Sequence, residues 1–339
     1  MKTPQLSYVL FFLFCTTFLY SQDVIILTNG DKLVGSIEKM ERSILTFSTS
    51  YDDSDFKIKW GEVVSITSEK QFIVSITDGD RFTTSLAAVE GKEKYVKFSD
   101  EGHQQEFELD DIVFIEPIGK NFLARLTVDL DIGLTLTKAN NLRQLNTNLN
   151  ATYLATKWRA NGLFKTVIST QDEAADIRRM DAELGGEYYL PHDWFVQATA
   201  TFLSNNELLL DLRSTFKGGG GYYFIRDNSM FFSGLAGLAY TTEQYMNNDP
   251  TRNSTEGYVG LGFNKYDIGD LSITTGAYWY PGITESGRHR LDFNFDMKYD
   301  LPLDFYIRLG LQYNYDNRPA EGASEDDYVF TTSFGWEWN

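Results

Sequence analysis

The chain has 339 residues, a net charge of −18 and a high aromatic content, with 25 Phe, 20 Tyr and 6 Trp. The acidity excludes nucleic acid as a partner, because its phosphates would be repelled. The length suggests about two domains, and the aromatic content favours β-structure.

The first residues, 1–21, have the pattern of a secretory signal peptide. Lys2 supplies the positive charge, residues 8–20 form an apolar core too short for a membrane helix, and Ser21 suits cleavage. Cys15, the only cysteine, lies within this segment and follows a large residue, which disfavours lipidation. The mature chain then has no thiol, so disulfides and thiolate metal sites are excluded.

The segment 22–119 contains an internal repeat whose units span about 23–70 and 71–118. The turn sequence Asn-Gly-Asp of the first unit returns as Asp-Gly-Asp in the second, 49 residues later. Short β-runs between such turns predict a tandem SH3-like or Sm-like small β-barrel region. Sm-like modules also bind RNA, but acidity and export favour a periplasmic interaction or spacer module.

The acidic loop 52–55 raises the alternative of a calcium site. It lacks the ordered ligand spacing and the distal Glu of a known calcium loop, so a solvated loop is the simpler interpretation. The three histidines, His103, His192 and His289, are scattered and do not favour a metal site either. We therefore expect no metal and no cofactor.

The segment 120–339 is dominated by long runs of alternating apolar and polar residues. In residues 291–301 every second position is apolar or aromatic, and the alternation resumes after Pro302. Successive side chains of a strand point to opposite faces, and aromatic-rich runs of this length are typical of transmembrane strands. About twelve such runs predict an all-β fold, an about 12-stranded antiparallel transmembrane β-barrel closed on itself.

The connections between these runs alternate between tight and long. Residues 156–157, 191–193 and 226–228 are tight turns, whereas 138–144 and 244–255 are longer polar links. Bacterial barrels have short periplasmic turns and longer external loops. An even strand count then places both termini, and the repeat region, in the periplasm. The expected location is the outer membrane, with its lipid bilayer as a partner.

The last run carries alternating aromatics at Phe330, Phe334, Trp336 and Trp338. This resembles the C-terminal signal that the barrel assembly machinery reads, although Asn339 follows the last aromatic. We expect that machinery to be a partner during biogenesis. Residues 22–119 are expected to contact another envelope protein or peptidoglycan.

Several segments together carry a family resemblance. They are residues 188–195, Asn206-Glu207, 210–213 and the glycine run 218–221. On these features, residues 122–339 resemble the salt-induced outer-membrane protein family (YdiY-like), which has no established function. The resemblance implies an outer-membrane barrel and brings no catalytic residue or ligand. The glycine run lacks the Lys-Ser/Thr of a phosphate loop and more simply allows a bulky lumenal side chain to approach.

The polar face of the runs predicts the lining of an enclosed lumen. Mixed charges favour a paired network that plugs the barrel, whereas a channel more often has one sign at its constriction. Restricted passage of small solutes stays the alternative. The candidate lumen-lining residues are Arg125, Asp129, Asp131, Arg179, Asp181, Glu183, Asp211, Arg213, Asp292, Asp296 and Arg308.

An outer-membrane hydrolase, lipase-like and acting at the external rim, is the enzymatic alternative. It would need a nucleophile and a base within hydrogen-bond reach. Ser286 is close to His289 in sequence, but no Gly-x-Ser-x-Gly elbow is present. We expect a protein of envelope structure or stress adaptation rather than an enzyme.

Overall fold

The computed structural model describes residues 22–336. Within that range it leaves out residues 101–102, 120–121, 139–140, 173–175, 207–209, 247–249, 269–270, 303–304 and 319–324. The expected signal peptide and the last predicted aromatic, Trp338, lie outside the described residues. Among the described residues, no helix is long and apolar enough to cross a membrane.

The chain forms an all-β fold of two sheets, one of nine strands and one of twelve. The nine-stranded sheet comprises β1 (Asp23–Leu27), β2 (Lys32–Glu41), β3 (Ile44–Thr49), β4 (Asp52–Lys59), β5 (Val63–Ile76), β6 (Arg81–Ala88), β7 (Tyr95–Asp100), β8 (His103–Glu108) and β9 (Ile112–Pro117). Short 3₁₀ segments lie at Trp60–Glu62, Leu109–Asp111 and Phe122–Arg125.

The twelve-stranded sheet follows in strict chain order, each strand antiparallel to the next. Its strands are β10 (Leu126–Thr137), β11 (Leu142–Leu154), β12 (Trp158–Thr170), β13 (Ile177–Tyr189), β14 (Trp194–Asn205), β15 (Leu210–Arg226), β16 (Met230–Tyr245), β17 (Arg252–Ile268), β18 (Leu271–Pro281), β19 (His289–Asp300), β20 (Phe305–Asp316) and β21 (Asp326–Trp336). The predicted all-β class and the twelve antiparallel strands are confirmed.

The internal repeat is visible in the order of elements of the nine-stranded sheet, which we call the N-terminal module. Strands β1 to β4, a 3₁₀ segment and the first half of β5 are followed by the second half of β5, β6 to β8, a 3₁₀ segment and β9. The first half of β5 pairs with β1, and its second half pairs with β9. One strand therefore ends the first unit and begins the second.

The two units of the module share one hydrophobic core. Trp60 and its equivalent in the second unit, Leu109, are both buried, and the Trp60 indole donates a 2.7 Å hydrogen bond to the Leu109 carbonyl. Phe47, Phe72 and Ile115 are fully buried in the same cluster. Because one core serves both units, neither unit is a separate folding body.

The twelve-stranded sheet curls into a barrel. Tyr258 on β17 lies against Gly219 on β15 and Gly237 on β16, so a side chain reaches the backbone two strands away across the concave face. The two edge strands, β10 and β21, share no backbone ladder in the part of the chain that the structure describes. Closure of the barrel between these two strands therefore stays a prediction.

The N-terminal module sits on the tight-turn end of the barrel. The Asn228 amide, in the β15–β16 turn, donates to the carbonyls of Asp110 and Ile112 at 2.9 and 2.7 Å. The hydroxyls of Thr83 and Thr156 are 2.6 Å apart. Nearby, Ile73 and Ile118 of the module pack with Leu154 of the barrel.

Candidate functional site

The candidate site is the polar concave face of the barrel. On β15, Arg213, Thr215 and Lys217 line a cavity inside the barrel, whereas the alternate residues Phe216 and Phe224 are 50% and 54% exposed on the outside. The two-residue period of the strand thus separates a charged interior from an apolar exterior.

A cavity of about 430 Å³, which we call the loop-side cavity, opens near the long connections. It is lined from β14 to β21, which places strands from two thirds of the sheet around one space. Its charged lining residues are Arg213, Lys217, Glu243, Glu256, Arg288, Arg290, Asp292, Asp316, Glu325 and Asp326.

The most buried acid in this cavity is Glu256, which is only 2% exposed. Arg290 on β19 donates to both carboxylate oxygens of Glu256, with Nε to Oε1 at 2.9 Å and Nη2 to Oε2 at 2.5 Å. Strand β18 lies between the strands that carry the two residues. Two parallel charge-assisted hydrogen bonds fix geometry as well as charge. The pair therefore links β17 to β19 across the concave face.

A second ionic group closes the rim of the cavity. Glu285, in the β18–β19 loop, accepts bidentate bonds from Arg252 at 2.9 and 2.7 Å and a 3.0 Å bond from Arg288. Arg288 also binds both oxygens of Asp316 at 3.2 and 2.6 Å. The hydrogen bonds from Arg252 lower the pKa of the Glu285 carboxyl. This acid–base chain ties β17, the loop and β20 together.

Farther along the wall, Arg213 on β15 donates to Glu243 on β16 at 2.6 Å, and the Tyr245 hydroxyl donates to the other Glu243 oxygen at 2.8 Å. Glu243 is 8% exposed. Because these charges satisfy one another, the arrangement favours a fixed, cross-linked wall.

Below the cavity lies a layer of aromatic side chains, formed by Phe195, Tyr223, Tyr258, Tyr278 and Tyr280. Tyr258 packs with Tyr280 and Tyr278, and Phe195 packs with Tyr223 at 4.7 Å between ring centres. On β17 this layer falls between Glu256, which lines the loop-side cavity, and Asn264, which lines a second cavity nearer the module. It therefore fills the lumen against the wall formed by β14 to β18.

The glycine run on β15 makes room for this layer. A Cβ added at Gly219 would lie 2.6 Å from the Tyr258 hydroxyl, and one added at Gly221 would collide with the Phe195 ring. Both contacts are closer than side chains tolerate. The expected close approach of bulky lumenal side chains is thus present at these two glycines.

The second cavity, of about 500 Å³, lies between the N-terminal module and the barrel, and we call it the junction cavity. Module residues such as Arg81 and Glu116 and barrel residues such as Arg159, Tyr189 and Tyr223 line it together. Burial raises the pKa of Glu116, against the opposing effect of Arg159.

The predicted lumen-lining residues divide into those that the structure brings together and those that it does not. Arg213 and Asp292 line the loop-side cavity. Four other predicted residues form two ion pairs, Arg179 with Asp181 and Arg308 with Asp296, each at 2.8 Å. Each of these two pairs lies outside that cavity lining.

The remaining predicted residues lie apart from the cavity. Asp129 and Asp131 are exposed on β10, where Asp131 accepts a 3.1 Å bond from Asn148. Glu183 accepts from an asparagine on β12 at 3.4 Å, and Asp211 is exposed beside a register shift of β15. Arg125 does not lie on a strand of the barrel: it ends the 3₁₀ segment before β10 and donates to the Gly119 carbonyl at 2.8 Å.

Sequence reasoning selected Arg213 and Asp292 but not the other acids and arginines of the cavity network. Arg290 could have been found, because it continues the alternation of Asp292 one step toward the loop. Glu256 begins the run after the predicted link 244–255 and could have been found in the same way. Arg252 could not, because that link hid the true start of β17 at Arg252.

The histidine of the enzymatic alternative lies on the outside. His289 stacks on Trp279, which is 46% exposed, with 5.8 Å between ring centres. Its backbone amide donates to Asn317. No grouping of three or more His, Cys, Asp or Glu side chains suited to a metal occurs among the residues that the structure describes.

Comparison with known proteins places most of the barrel in one protein family. The family described as "Protein of unknown function, DUF481" matches residues 130–338, which is most of the twelve-stranded sheet. No curated protein matches the chain.

Proposed function

The chain belongs to the DUF481 family of proteins of unknown function, and from this premise we propose that it is an outer-membrane barrel that serves envelope structure and stress adaptation. Its lumen admits small solutes only in a restricted way. The narrower assignment, to the salt-induced outer-membrane proteins, is part of the same proposal.

The observation that carries this proposal is the distribution of polarity across the barrel wall. Large apolar side chains are exposed on the outside of every strand pair, for example Leu184 at 64%, Leu238 at 59% and Phe330 at 61%. Soluble proteins rarely expose a continuous apolar belt, whereas a bilayer requires one. The concave face carries ion pairs on β13, β15, β16, β17, β19 and β20.

The interior supports a structural role over free diffusion. The acid–base chain through Glu285 and Arg288 fixes the loop-side rim, and the aromatic layer fills the lumen at β14 to β18. The module covers the tight-turn end. A solute would have to pass all three features.

The N-terminal module is the proposed contact for another envelope protein or for peptidoglycan. Its surface exposes Tyr51 and Phe56, on the turn and strand after β3. Exposed aromatic rings are enriched at recognition surfaces. Assembly of the barrel into the bilayer would use the barrel assembly machinery, and we propose no catalytic role.

Fractionation and single-channel recording test the proposal on the same protein. We expect the full chain to remain with the outer membrane after carbonate or urea washing. In planar bilayers we expect either no conductance or steps far smaller than those of a wide porin. Recovery in the aqueous fraction without detergent would refute the membrane assignment, and large steady steps would refute restricted passage.

A further inference from the structure

The junction cavity contains a cation for which the described residues supply no acidic partner. Arg81 lies at the start of β6, with its guanidinium 4.0 Å above the Tyr189 ring and 5.8 Å from the Phe114 ring. Its Nε is buried and has no hydrogen-bond partner. Burial lowers the pKa of Arg81, so a negative charge at this place would be favourable.

Other polar atoms around the same cavity are also buried and unpartnered. They are the Ser75 hydroxyl, whose residue is fully buried, and the Asn264 side-chain carbonyl. Buried polar atoms normally find a partner, so unpartnered ones indicate a missing ligand or water. Arg81 offers a donor, Asn264 an acceptor and Ser75 either, so a matching ligand carries both oxyanion and hydroxyl groups.

The charge around the cavity is positive although the chain as a whole is acidic. Lys39, Arg42, Arg81, Arg159 and Arg226 line it, against Glu41, Glu116 and Asp227. Glu41 already pairs with Lys39 at 2.6 Å, and Asp227 accepts three hydrogen bonds within its own turn. Arg226 pairs with Asp193 at 3.6 Å. Arg42, Arg81 and Arg159 face a volume of about 500 Å³, which is within the usual size of small-molecule sites.

From this geometry we propose that the junction cavity binds a small hydroxylated organic anion, such as a sugar phosphate or a sugar acid. Arg81 holds the oxyanion, and Asn264 and Ser75 bind hydroxyl groups. The Tyr189 and Tyr223 rings provide flat walls. Because Arg81 and Ser75 belong to the module and the other residues to the barrel, the ligand would hold the two together.

Isothermal titration with the full chain in detergent at low salt tests the proposal. The probes are glucose 6-phosphate, gluconate and the uncharged control glucose. We expect at least one anion to bind and glucose not to bind; which anion binds tells whether the site prefers a phosphate or a carboxylate. Absence of anion binding up to about 10 mM, or equal binding of glucose, would overturn the proposal.

Variants then locate the binding. Arg81→Gln should lower the affinity for the anion by about tenfold or more, because a charge-assisted hydrogen bond is lost, and Arg81→Lys should lower it less. Lys92→Gln, in an exposed ion pair of the module, is the matched control and should bind normally. Asn264→Asp keeps the side-chain size and adds a repelling charge, so it serves if Arg81→Gln does not fold. Wild-type affinity in both Arg81→Gln and Asn264→Asp would contradict the proposed site.

Discussion

Single glycines set the depth of the aromatic layer. At Gly221 an added Cβ would collide with the Phe195 ring and would lie 2.8 Å from the Gly234 carbonyl oxygen. At Gly218, three residues earlier in the same strand, the nearest atom would be 4.0 Å away. The run of four glycines thus contains one position that has room for an added Cβ, Gly218, and one that has none, Gly221.

We expect Gly221→Ala to lower the free energy of unfolding by about 1–3 kcal/mol, the usual cost of overpacking. Gly218→Ala should be near neutral. Urea unfolding in micelles, followed by tryptophan fluorescence, measures both. Adding Phe195→Leu to Gly221→Ala should recover part of the loss, and equal stability of the two alanine variants would contradict the proposed packing.

Glu116 gives a pH dependence of defined sign. Its pKa is raised in the folded protein by burial, so folding favours its protonated form. Its contribution to stability is therefore complete below its ordinary pKa near 4.5 and is lost as the pH rises through the raised value. The melting temperature of Glu116→Gln should exceed that of the wild type by a margin that grows as the pH is raised from about 4.5 to 8.

Glu106 supplies the opposite control for this measurement. Lys92 lowers its pKa, so its contribution is present above its ordinary pKa and is lost as the pH falls. Glu106→Gln should therefore show no gain in melting temperature with rising pH. A gain of the same sign and size in both variants would show that burial of Glu116 is not the cause.

Residue roles were only partly predictable from sequence. Alternation placed Arg213 and Asp292 on one face of their strands, because the strand period fixes the face of every residue once the phase is known, and both line the loop-side cavity. It could not identify their partners, since Glu243 is 30 residues from Arg213 in the chain. Pairing across strands depends on register, which a single sequence does not give.

At the level of elements, the ion pairs across the concave face differ in burial. Arg290 and Glu256 form a pair in which the acid is 2% exposed, whereas the Arg308 side chain in the pair with Asp296 is 57% exposed. A buried carboxylate left without its partner is costly, and an exposed one is resolvated.

Arg290→Gln should therefore lower the free energy of unfolding by about 3–5 kcal/mol, and Arg308→Gln by less than about 1 kcal/mol. Chemical unfolding in micelles compares the two. Restoring neutrality with the double variant Arg290→Gln, Glu256→Gln should recover much of the loss. If Arg290→Gln unfolds at the wild-type midpoint, the Arg290–Glu256 pair does not support the wall.

The two edge strands, β10 and β21, make a prediction about closure. An unpaired edge in hydrocarbon leaves backbone groups without hydrogen bonds, so a bilayer should drive the two strands together. We expect the amides of both to exchange with deuterium in bilayers as slowly as those of β15 and β16. Persistent fast exchange along β10 and β21 in lipid would mean that the seam between them stays open.

Elements were more predictable than residues. All twelve runs of alternation proved to be strands, since a two-residue period sustained over a dozen positions has few other solutions. The segment Phe122–Arg125, directly before β10, is not part of that strand. Its side chains alternate like a strand, yet the backbone forms a 3₁₀ segment where the chain passes from the module into the barrel.

On the scale of the whole molecule, the module and the barrel act as one assembly. Asn228 and Thr156, both in tight turns of the barrel, contact the module at Asp110, Ile112 and Thr83. The alternation of short and long connections in the sequence predicts that the module lies at the tight-turn end of the barrel. It does not predict the contacts, because the bonded residues are up to 118 positions apart.

This seating can be tested with a single cross-link, because no cysteine occurs after Cys15. In the double variant Thr83→Cys, Thr156→Cys the two sulfurs would replace oxygens that are 2.6 Å apart, so we expect a disulfide on mild oxidation. Non-reducing gel electrophoresis of the full chain measures it. The control pair Thr83→Cys, Thr255→Cys, with its second position at the loop end of the barrel, should not cross-link.

If the module seals the tight-turn end at all times, the bilayer conductance of the cross-linked protein should equal that of the reduced protein. A rise in conductance on reduction would instead mean that the module leaves its seat and opens the lumen.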